Sequence, residues 1–207
     1  MKRFLVSGIL IVVALGLTVA AQGGRMPSPA GTVATEIGGK FLSEADPVYL
    51  GGKWIEITYS RPIKRGRDLW GSGANYGKLL GSGAPVWRAG ANVSTRLKTE
   101  LPLVIARKTV PPGEYSLFID LKPNNWTFIV SSWAAQKDFD PNNRAALWGS
   151  FGYTPDKDVV RAPMTLGTLP FSVDQLTWAF HDMSDAGGKI ALMWDKVVAS
   201  VPFTTAR

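Results

Sequence analysis

Cysteine is missing from the chain of 207 residues. Without a thiol, the protein can form no disulfide, use no cysteine nucleophile and build no cysteine-ligated zinc or iron–sulfur site. We also expect no lipid anchor at a processed N-terminus, because that modification requires a cysteine at the cleavage site. The fold must therefore be held together by its core, to which eight Trp, nine Phe and five Tyr can contribute.

Histidine is almost missing as well, since His181 is the single one in the sequence. A serine–histidine–acid triad or a typical zinc site would have to rely on this residue. It falls in a segment that alternates like a strand, and the glycine–x–serine–x–glycine motif of α/β-hydrolases does not occur. We therefore predict no metal site and no cofactor, and we expect histidine-based catalysis to be absent.

Carboxylates occur without the spacing that catalysis or metal binding favours. Residues 138–142 match the opening of a calcium loop, but its sixth position is Asn143 rather than Gly and its twelfth is Gly149 rather than Glu. An ordinary polar turn explains the same residues. Glycoside hydrolysis needs two carboxylates across a cleft. The candidates for such a pair, which no spacing brings together, are Glu56, Glu114, Asp158 and Asp182.

Long apolar runs are confined to the N-terminus. Lys2 and Arg3 supply positive charge, residues 4–19 are almost wholly apolar, and the small residues Ala20 and Ala21 follow. This order is typical of a secretory signal peptide, so we predict cleavage near Ala21 and a secreted or periplasmic protein. An uncleaved anchor is the alternative, because residues 4–21 reach about 18 positions, close to the lower limit of a membrane helix. That segment would then be the sole contact with a membrane.

The excess of positive charge is small. The net charge of +7 becomes +5 without Lys2 and Arg3, with 21 basic and 16 acidic residues remaining. The basic residues are dispersed apart from the run 61–67. A nucleic-acid binder usually concentrates them on one face, so we expect no nucleic-acid partner.

Helical periodicity is not found beyond the N-terminal segment, whereas two-residue alternation recurs along the chain. In residues 53–60, Ile55, Ile57 and Tyr59 share one face, as a half-buried strand requires. We predict an all-β fold, an antiparallel jelly-roll-like β-sandwich of about eight or nine strands. The expected organisation is a signal peptide over 1–21, a flexible leader over 22–32 and one domain over 33–207. The clearest predicted strands are 53–60, 95–100, 114–121, 126–130, 158–165, 175–182, 189–194 and 197–203.

Two basic motifs are the strongest candidates for a ligand site. The run RPIKRGR at 61–67 holds four cations and follows a strand, and WRAGAN at 87–92 combines an aromatic ring with Arg and Asn. Arginine forks suit carboxylates, phosphates and sugar hydroxyls. The alternative is structural, with these arginines bound to loop carbonyls or paired with Asp68, Asp156 or Asp158. Both interpretations remain open at this point.

The same motifs, with others in a fixed order, resemble the DUF2911 family of exported bacterial proteins of unknown function. The resemblance covers about residues 33–203. It implies a bacterial origin, an envelope location and a β-rich fold, and it implies no activity. The chain departs from the pattern at Val93, where an acidic residue is expected, and in the longer segments 41–52 and 71–83. The motifs are YSRP at 59–62, RGR at 65–67, WRAGAN at 87–92, PGEYSLF at 112–118, WT at 126–127, WG at 148–149 with Tyr153, DV at 158–159 with Arg161, Trp194, and VP at 201–202.

These observations favour a non-catalytic binding domain for a glycan, a small anion or an envelope partner. A hydrolase acting on a sugar or an ester and a structural or assembly protein of the envelope are the alternatives, and no oligomeric state is predicted. The candidate ligand-binding residues are Arg61, Arg65, Arg67, Trp87, Arg88, Asn92, Tyr153, Asp158 and Arg161.

Overall fold

The segments in which apolar and polar residues alternate form strands. A computed structural model describes residues 27–45 and 47–205, so the predicted signal peptide and residues 22–26 of the expected leader lie outside the described residues. Strands account for 53% of the structure and helices for 6%, which confirms the all-β prediction. Among residues 27–45 and 47–205, no helix has the length and apolar character needed to span a membrane.

Fourteen strands and one short α-helix make up the described chain. They are β1 (Ala30–Ile37), β2 (Lys40–Phe41), β3 (Tyr49–Leu50), β4 (Lys53–Ser60), α1 (Lys78–Gly81), β5 (Thr95–Thr99), β6 (Leu103–Ile105), β7 (Lys108–Val110), β8 (Gly113–Asp120), β9 (Thr127–Ser131), β10 (Ala134–Ala135), β11 (Ala146–Leu147), β12 (Asp158–Pro163), β13 (Thr165–Ser184) and β14 (Gly187–Thr205). Two 3₁₀ turns occur at Gly73–Asn75 and Pro155–Lys157.

Two larger sheets contribute to one core. Six strands form the first sheet in the order β1-β4-β5-β8-β9-β12, and four form the second in the order β13-β14-β6-β7. All neighbours in both sheets are antiparallel, as predicted. Ile57 and Leu117 of the first sheet and Trp178 and Leu192 of the second are buried in the same apolar cluster. The short pair β10–β11 is parallel.

Most of the predicted strands match the structure to within a few residues, but β13 (Thr165–Ser184) begins ten residues before the predicted strand 175–182. β4 covers residues 53–60 as predicted, with Ile55, Ile57 and Tyr59 buried. Two strands predicted at 189–194 and 197–203 are one continuous strand, β14, which is interrupted in register near Asp195. Because β14 stays paired with β13 on both sides of Asp195, the break in alternation marks a bulge and not a turn.

Strands β1, β6 and β7 and the two-residue strands β2, β3, β10 and β11 were not predicted, so the described residues form fourteen strands where about eight or nine were expected. β1 starts at Ala30, so residues 30–32 of the expected leader belong to a strand. Its sequence AGTVATEI is small and polar, and it pairs on one side with β4 at the edge of the sheet. β6 and β7 are joined at Ala106 and Arg107, both at positive φ. This two-residue turn lacks the Asn-Gly signal that usually announces it.

The irregular segment 132–157 covers the outer face of the first sheet. Phe118 and Ile129 point away from the main core and are buried with Leu147, Tyr153 and Val86 in a second, smaller cluster. Next to Val86, Trp87 enters the main core and exchanges two backbone hydrogen bonds of 2.8 Å with Ile119 of β8. The segment around residue 88 is thereby fixed against the sheet and beside the loop 147–153.

Candidate functional site

Arg88 is half-buried at the junction of two surface cavities. Its Nη1 donates to the Asn92 carbonyl at 2.9 Å, and among the residues that the structure describes no carboxylate lies within ion-pair distance of it. Burial lowers the pKa of Arg88 from its ordinary value, although arginine stays protonated near neutral pH. The guanidinium therefore carries a charge that has lost water without gaining a counter-ion.

Gly149 brings the loop 147–153 into close contact with Arg88. At φ +61°, it adopts a conformation that favours glycine, and a Cβ at this position would lie 2.4 Å from Arg88 Nη1 and 3.0 Å from the Asn92 carbonyl oxygen. Ser94 Oγ donates to the Gly149 carbonyl at 2.6 Å and holds the loop there. The motifs at 87–92 and 148–149 thus meet in one place.

The cationic lobe is the cavity on one side of Arg88, with a volume of about 480 Å³. Arg65, Arg67, Trp87 and Trp194 line it together with Arg88. Arg67 donates through Nε to the Lys64 carbonyl at 2.9 Å and through Nη2 to the Ile63 carbonyl at 2.6 Å, with its Cζ 6.0 Å from the Trp194 ring centroid. No acidic side chain is among the described residues that line this lobe.

The aromatic lobe is the cavity on the other side of Arg88, with a volume of about 640 Å³. Phe139 and Phe151 are 58% and 63% exposed there, and the Phe139 and Trp148 rings meet at a centroid distance of 5.9 Å. Tyr153 and the buried Ser150 complete this wall. The two lobes share the lining residues Arg88 and Ser82, so they adjoin, and together they are called the groove.

The glycine-rich segment 71–83, which is longer than the family pattern, contributes lining residues to both lobes. Leu79, Leu80 and Ser82 face the cationic lobe, and residues 81–85 line the aromatic lobe. The segment contains α1, which is four residues long and buries Leu80 against the core. The length of this segment therefore contributes directly to the groove.

Tyr153 connects the aromatic lobe to a partly buried ionic cluster, in which the Asp158 side chain is buried and the Arg161 side chain is exposed. Its hydroxyl donates to Asp158 Oδ2 at 2.6 Å, and Arg161 Nη1 donates to the same carboxylate oxygen at 2.9 Å. Arg161 Nη2 reaches Asp120 Oδ2 at 3.0 Å. Burial and the bond to Asp158 raise the pKa of Tyr153 above its ordinary value of 10.0. Asp158 Oδ2 is therefore bonded twice, whereas Asp158 Oδ1 is buried without a hydrogen-bond partner among the described residues. Neither Asp158 nor Arg161 lines a lobe.

The remaining candidates have structural partners. Arg61 Nε donates to the Leu176 carbonyl at 3.4 Å, and its aliphatic stem fills the space beside Gly31. Trp87 stacks on Trp194 at a centroid distance of 6.0 Å. Asn92, at φ 57°, presents its carbonyl to Arg88. The structure thus brings together Arg65, Arg67, Trp87 and Arg88, with Tyr153 in the adjoining lobe, and it leaves Arg61, Asp158 and Arg161 outside the groove.

A family model described as "Protein of unknown function (DUF2911)" matches residues 43–203. The chain belongs to the DUF2911 family. This confirms the resemblance inferred from the ordered motifs, and all nine candidate residues lie inside the matched region. Neither a curated protein nor a solved structure matches the chain.

Sequence reasoning missed the aromatic half of the groove in this DUF2911 domain. Phe139, Trp148, Ser150 and Phe151 all come from the irregular segment 132–157. The signal was the density of aromatic residues in a segment without periodicity, together with the WG motif at 148–149. Hydrophobic periodicity could not predict the contact between that loop and Arg88, because the contact joins residues some sixty positions apart.

The titratable residues considered from the sequence lie elsewhere on the DUF2911 domain. His181 Nδ1 is 3.3 Å from Asp182 Oδ2 at the exposed end of the β13–β14 hairpin. Lys189, 2.8 Å from the same oxygen, is the main reason that the pKa of Asp182 is lowered. Glu114 pairs with Arg96 at 2.9 Å. These side chains are not part of the groove.

The calcium-like residues 138–142 form a hydrogen-bonded turn. Asp140 Oδ1 accepts from the Asn142 amide at 2.9 Å, and the Gln136 side chain binds both the amide and the carbonyl of Asp140. Asn143 Oδ1 accepts from two further backbone amides. Among residues 27–45 and 47–205, no three His, Asp or Glu side chains come together as a metal site would require.

Proposed function

We propose that this protein binds an anionic ligand in the groove and that Arg88 is the anchor. The observation that carries the proposal is the half-buried, charged guanidinium of Arg88 without a carboxylate partner among the described residues. Removing a charge from water is costly unless an opposite charge compensates for it. A carboxylate, sulfate or phosphate of a ligand would supply that charge through charge-assisted hydrogen bonds.

The surroundings of Arg88 support the same ligand charge. Arg65 and Arg67 line the cationic lobe, and neither lobe has an Asp or Glu among its described lining residues. A cleft whose charged side chains are all cationic raises the local concentration of anions. The Arg67 side chain is already bound to two backbone carbonyls, so it loses little further conformational entropy when a ligand binds.

Binding fits the groove better than hydrolysis does. Neither lobe has an Asp, Glu or His among its described lining residues, so neither offers a conventional general base. The Tyr153 hydroxyl donates to Asp158, and its raised pKa keeps it protonated. We therefore propose a non-catalytic binding domain.

Anion titrations of two arginine variants test the proposal. Phosphate, sulfate and glucuronate should each raise the melting temperature of the protein. Arg88→Gln should weaken the binding of these anions by roughly tenfold or more, which corresponds to about 1.4 kcal/mol. Arg96→Gln is the matched control, because Arg96 is an exposed arginine paired with Glu114 and lies outside both lobes.

Far-UV circular dichroism would show that both variants are folded. The proposal fails if none of the three anions stabilises the protein. It also fails if Arg88→Gln binds them as well as the unchanged protein does.

We further propose that the domain is exported and that its two sheets pack as a jelly-roll-like sandwich. The basic, apolar and small residues at 1–21 support export, and the shared apolar core supports the packing. N-terminal sequencing of the protein from a bacterial envelope fraction should give a start near Gln22. A start at Met1 in the membrane fraction would favour the anchor alternative.

A further inference from the structure

Resting on the binding function proposed above, we infer that the ligand is an acidic sugar. Its charged group, a carboxylate, sulfate or phosphate, binds Arg88. The ring that carries this group lies against the aromatic lobe. The inference concerns the shape and polarity of the ligand, whereas the proposed function concerns its charge alone.

The aromatic lobe presents rings that the fold itself does not cover. Phe139 and Phe151 are 58% and 63% exposed, and both stand in the same concave surface next to Arg88. Large apolar side chains grouped around a cleft commonly mark a binding site. The faces of aromatic rings carry partial negative charge and attract C–H groups. A pyranose ring offers such C–H groups on one face.

Polar groups beside these rings distinguish a sugar from a purely apolar acid. Ser150, Ser82 and the other residues of 81–85 line the same cavity as Phe151 and Trp148, and they bring hydroxyl and backbone polar groups to its wall. These groups can donate to and accept from hydroxyls at the rim of a sugar ring. A ligand without hydroxyls would leave them without a partner where it excludes water.

The size of the groove favours more than one sugar unit. The aromatic lobe of about 640 Å³ and the cationic lobe of about 480 Å³ adjoin at Arg88 and Ser82. An inorganic anion would fill a small part of this space. A chain of acidic sugars could place one ring on the aromatic lobe, its charge on Arg88 and a second charge beside Arg65 and Arg67.

Isothermal titration with matched probes tests the inference. The probes are a galacturonic acid trimer, a sulfated heparin disaccharide, neutral maltotriose and inorganic phosphate. At least one acidic sugar should bind tenfold or more tightly than maltotriose. The first two probes distinguish a carboxylate from a sulfate source of the charge.

Two aromatic variants separate this inference from the proposed function. Phe139→Ala and Phe151→Ala should each weaken binding of the acidic sugar about fivefold or more and leave phosphate binding unchanged. Phe171→Ala is the control, because Phe171 is 59% exposed on β13, outside both lobes. Arg88→Gln should weaken both kinds of probe.

Tryptophan emission gives an independent readout. The acidic sugar should shift the emission of the protein, phosphate should not, and Trp148→Phe should remove most of the shift. If the Phe139 and Phe151 variants bind the acidic sugar normally, or if neither acidic sugar exceeds maltotriose, the inference is overturned while phosphate binding at Arg88 still supports the proposed function. Phosphate binding that survives in Arg88→Gln would overturn the proposed function itself.

Discussion

Arg88 and Arg161 carry the same charge but have different neighbours. Arg161 bridges Asp158 and Asp120 at 2.9 and 3.0 Å. Arg88 has a backbone carbonyl and no carboxylate among the described residues. Because the fold compensates one guanidinium and not the other, the two arginines should differ in what they contribute to stability.

Replacing each of these arginines by methionine, which keeps much of the side-chain volume, tests this difference. Arg88→Met should leave the free energy of unfolding within about 0.5 kcal/mol of the unchanged protein, because one hydrogen bond is lost and an uncompensated charge is removed. Arg161→Met should cost about 2–3 kcal/mol, since it leaves the 6% exposed Asp158 without its cation, whereas Asp120 keeps Lys122 at 3.5 Å. Thermal unfolding without ligand should therefore show a loss of roughly 5–10 °C for Arg161→Met alone. An equal loss in both variants would mean that Arg88 is a structural residue.

The residue types of the site could be predicted in part. The motifs at 61–67 and 87–92 contain three of the arginines now seen at the groove, and their basic and aromatic character suggested a ligand. The same reasoning placed Arg61 with them, whereas its Nε reaches the Leu176 carbonyl of the second sheet. A carbonyl partner contributed by another part of the chain leaves no local signal in the sequence.

At the scale of secondary-structure elements, the alternation of apolar and polar residues predicts strands that have one solvent-exposed face and one buried face. β4 meets that condition and was predicted with its correct bounds. β8 and β9 are buried on both faces because the segment 132–157 covers the outer one, yet their large apolar residues still revealed them. β1, which is small and polar, gave no such signal. The interruption at Asp195 was misread because a bulge and a turn break the alternation in the same way.

The bulge at Asp195 also binds the basic run 61–67 to the second sheet. Asp195 Oδ1 accepts from Lys64 Nζ at 2.6 Å and from Ser172 Oγ at 2.9 Å. The bond to Lys64 is the main reason that the pKa of Asp195 is lowered from its ordinary value of 3.8. Lys64 immediately precedes Arg65, so the link helps to hold one side of the cationic lobe.

Acidification should loosen this link. A depressed carboxyl pKa stabilises the folded protein above the unfolded value of about 3.8, and the contribution is lost as the pH falls through the folded value. Because the pair is partly solvated, we expect less than about 1 kcal/mol. Asp195→Asn should lower the melting temperature at pH 7 by roughly 1–3 °C and have almost no effect at pH 2.5. Asp156→Asn, on an exposed 3₁₀ turn, is the control, and an effect of Asp195→Asn that is the same at both pH values would contradict this role.

At the scale of the whole molecule, the class of fold followed from the sequence because burial imposes period two on every long strand. The arrangement of the strands did not follow, since the order β1-β4-β5-β8-β9-β12 depends on pairings between distant segments. The groove could not be predicted either, because it also depends on contacts between distant segments. Its walls come mainly from residues 61–67, 79–91 and 139–153. The last two ranges meet because Trp87 pairs with Ile119 of β8, while Leu147 and Tyr153 are buried in one cluster with Phe118 of the same strand.

The family match over residues 43–203 covers less than the structural unit. It omits β1, which pairs with β4 along all eight of its residues and buries Ile37 in the core. It also omits Thr204 and Thr205, through which β14 pairs with β6. A chain trimmed to 43–203 would therefore leave the β4 edge without its backbone partners and the second sheet without its connection between β14 and β6.

We expect this trimmed chain to melt at least about 10 °C below a chain of residues 27–205, or to aggregate during refolding. A chain starting at residue 27 should melt within about 2 °C of one starting at Gln22, because both retain β1 and its pairing with β4. Differential scanning calorimetry of the three chains would measure these differences. A cooperative transition of the 43–203 chain at the same temperature as the 27–205 chain would show that β1 and the end of β14 are dispensable, and that the core shared by β4, β5, β8 and β14 is sufficient to hold the groove.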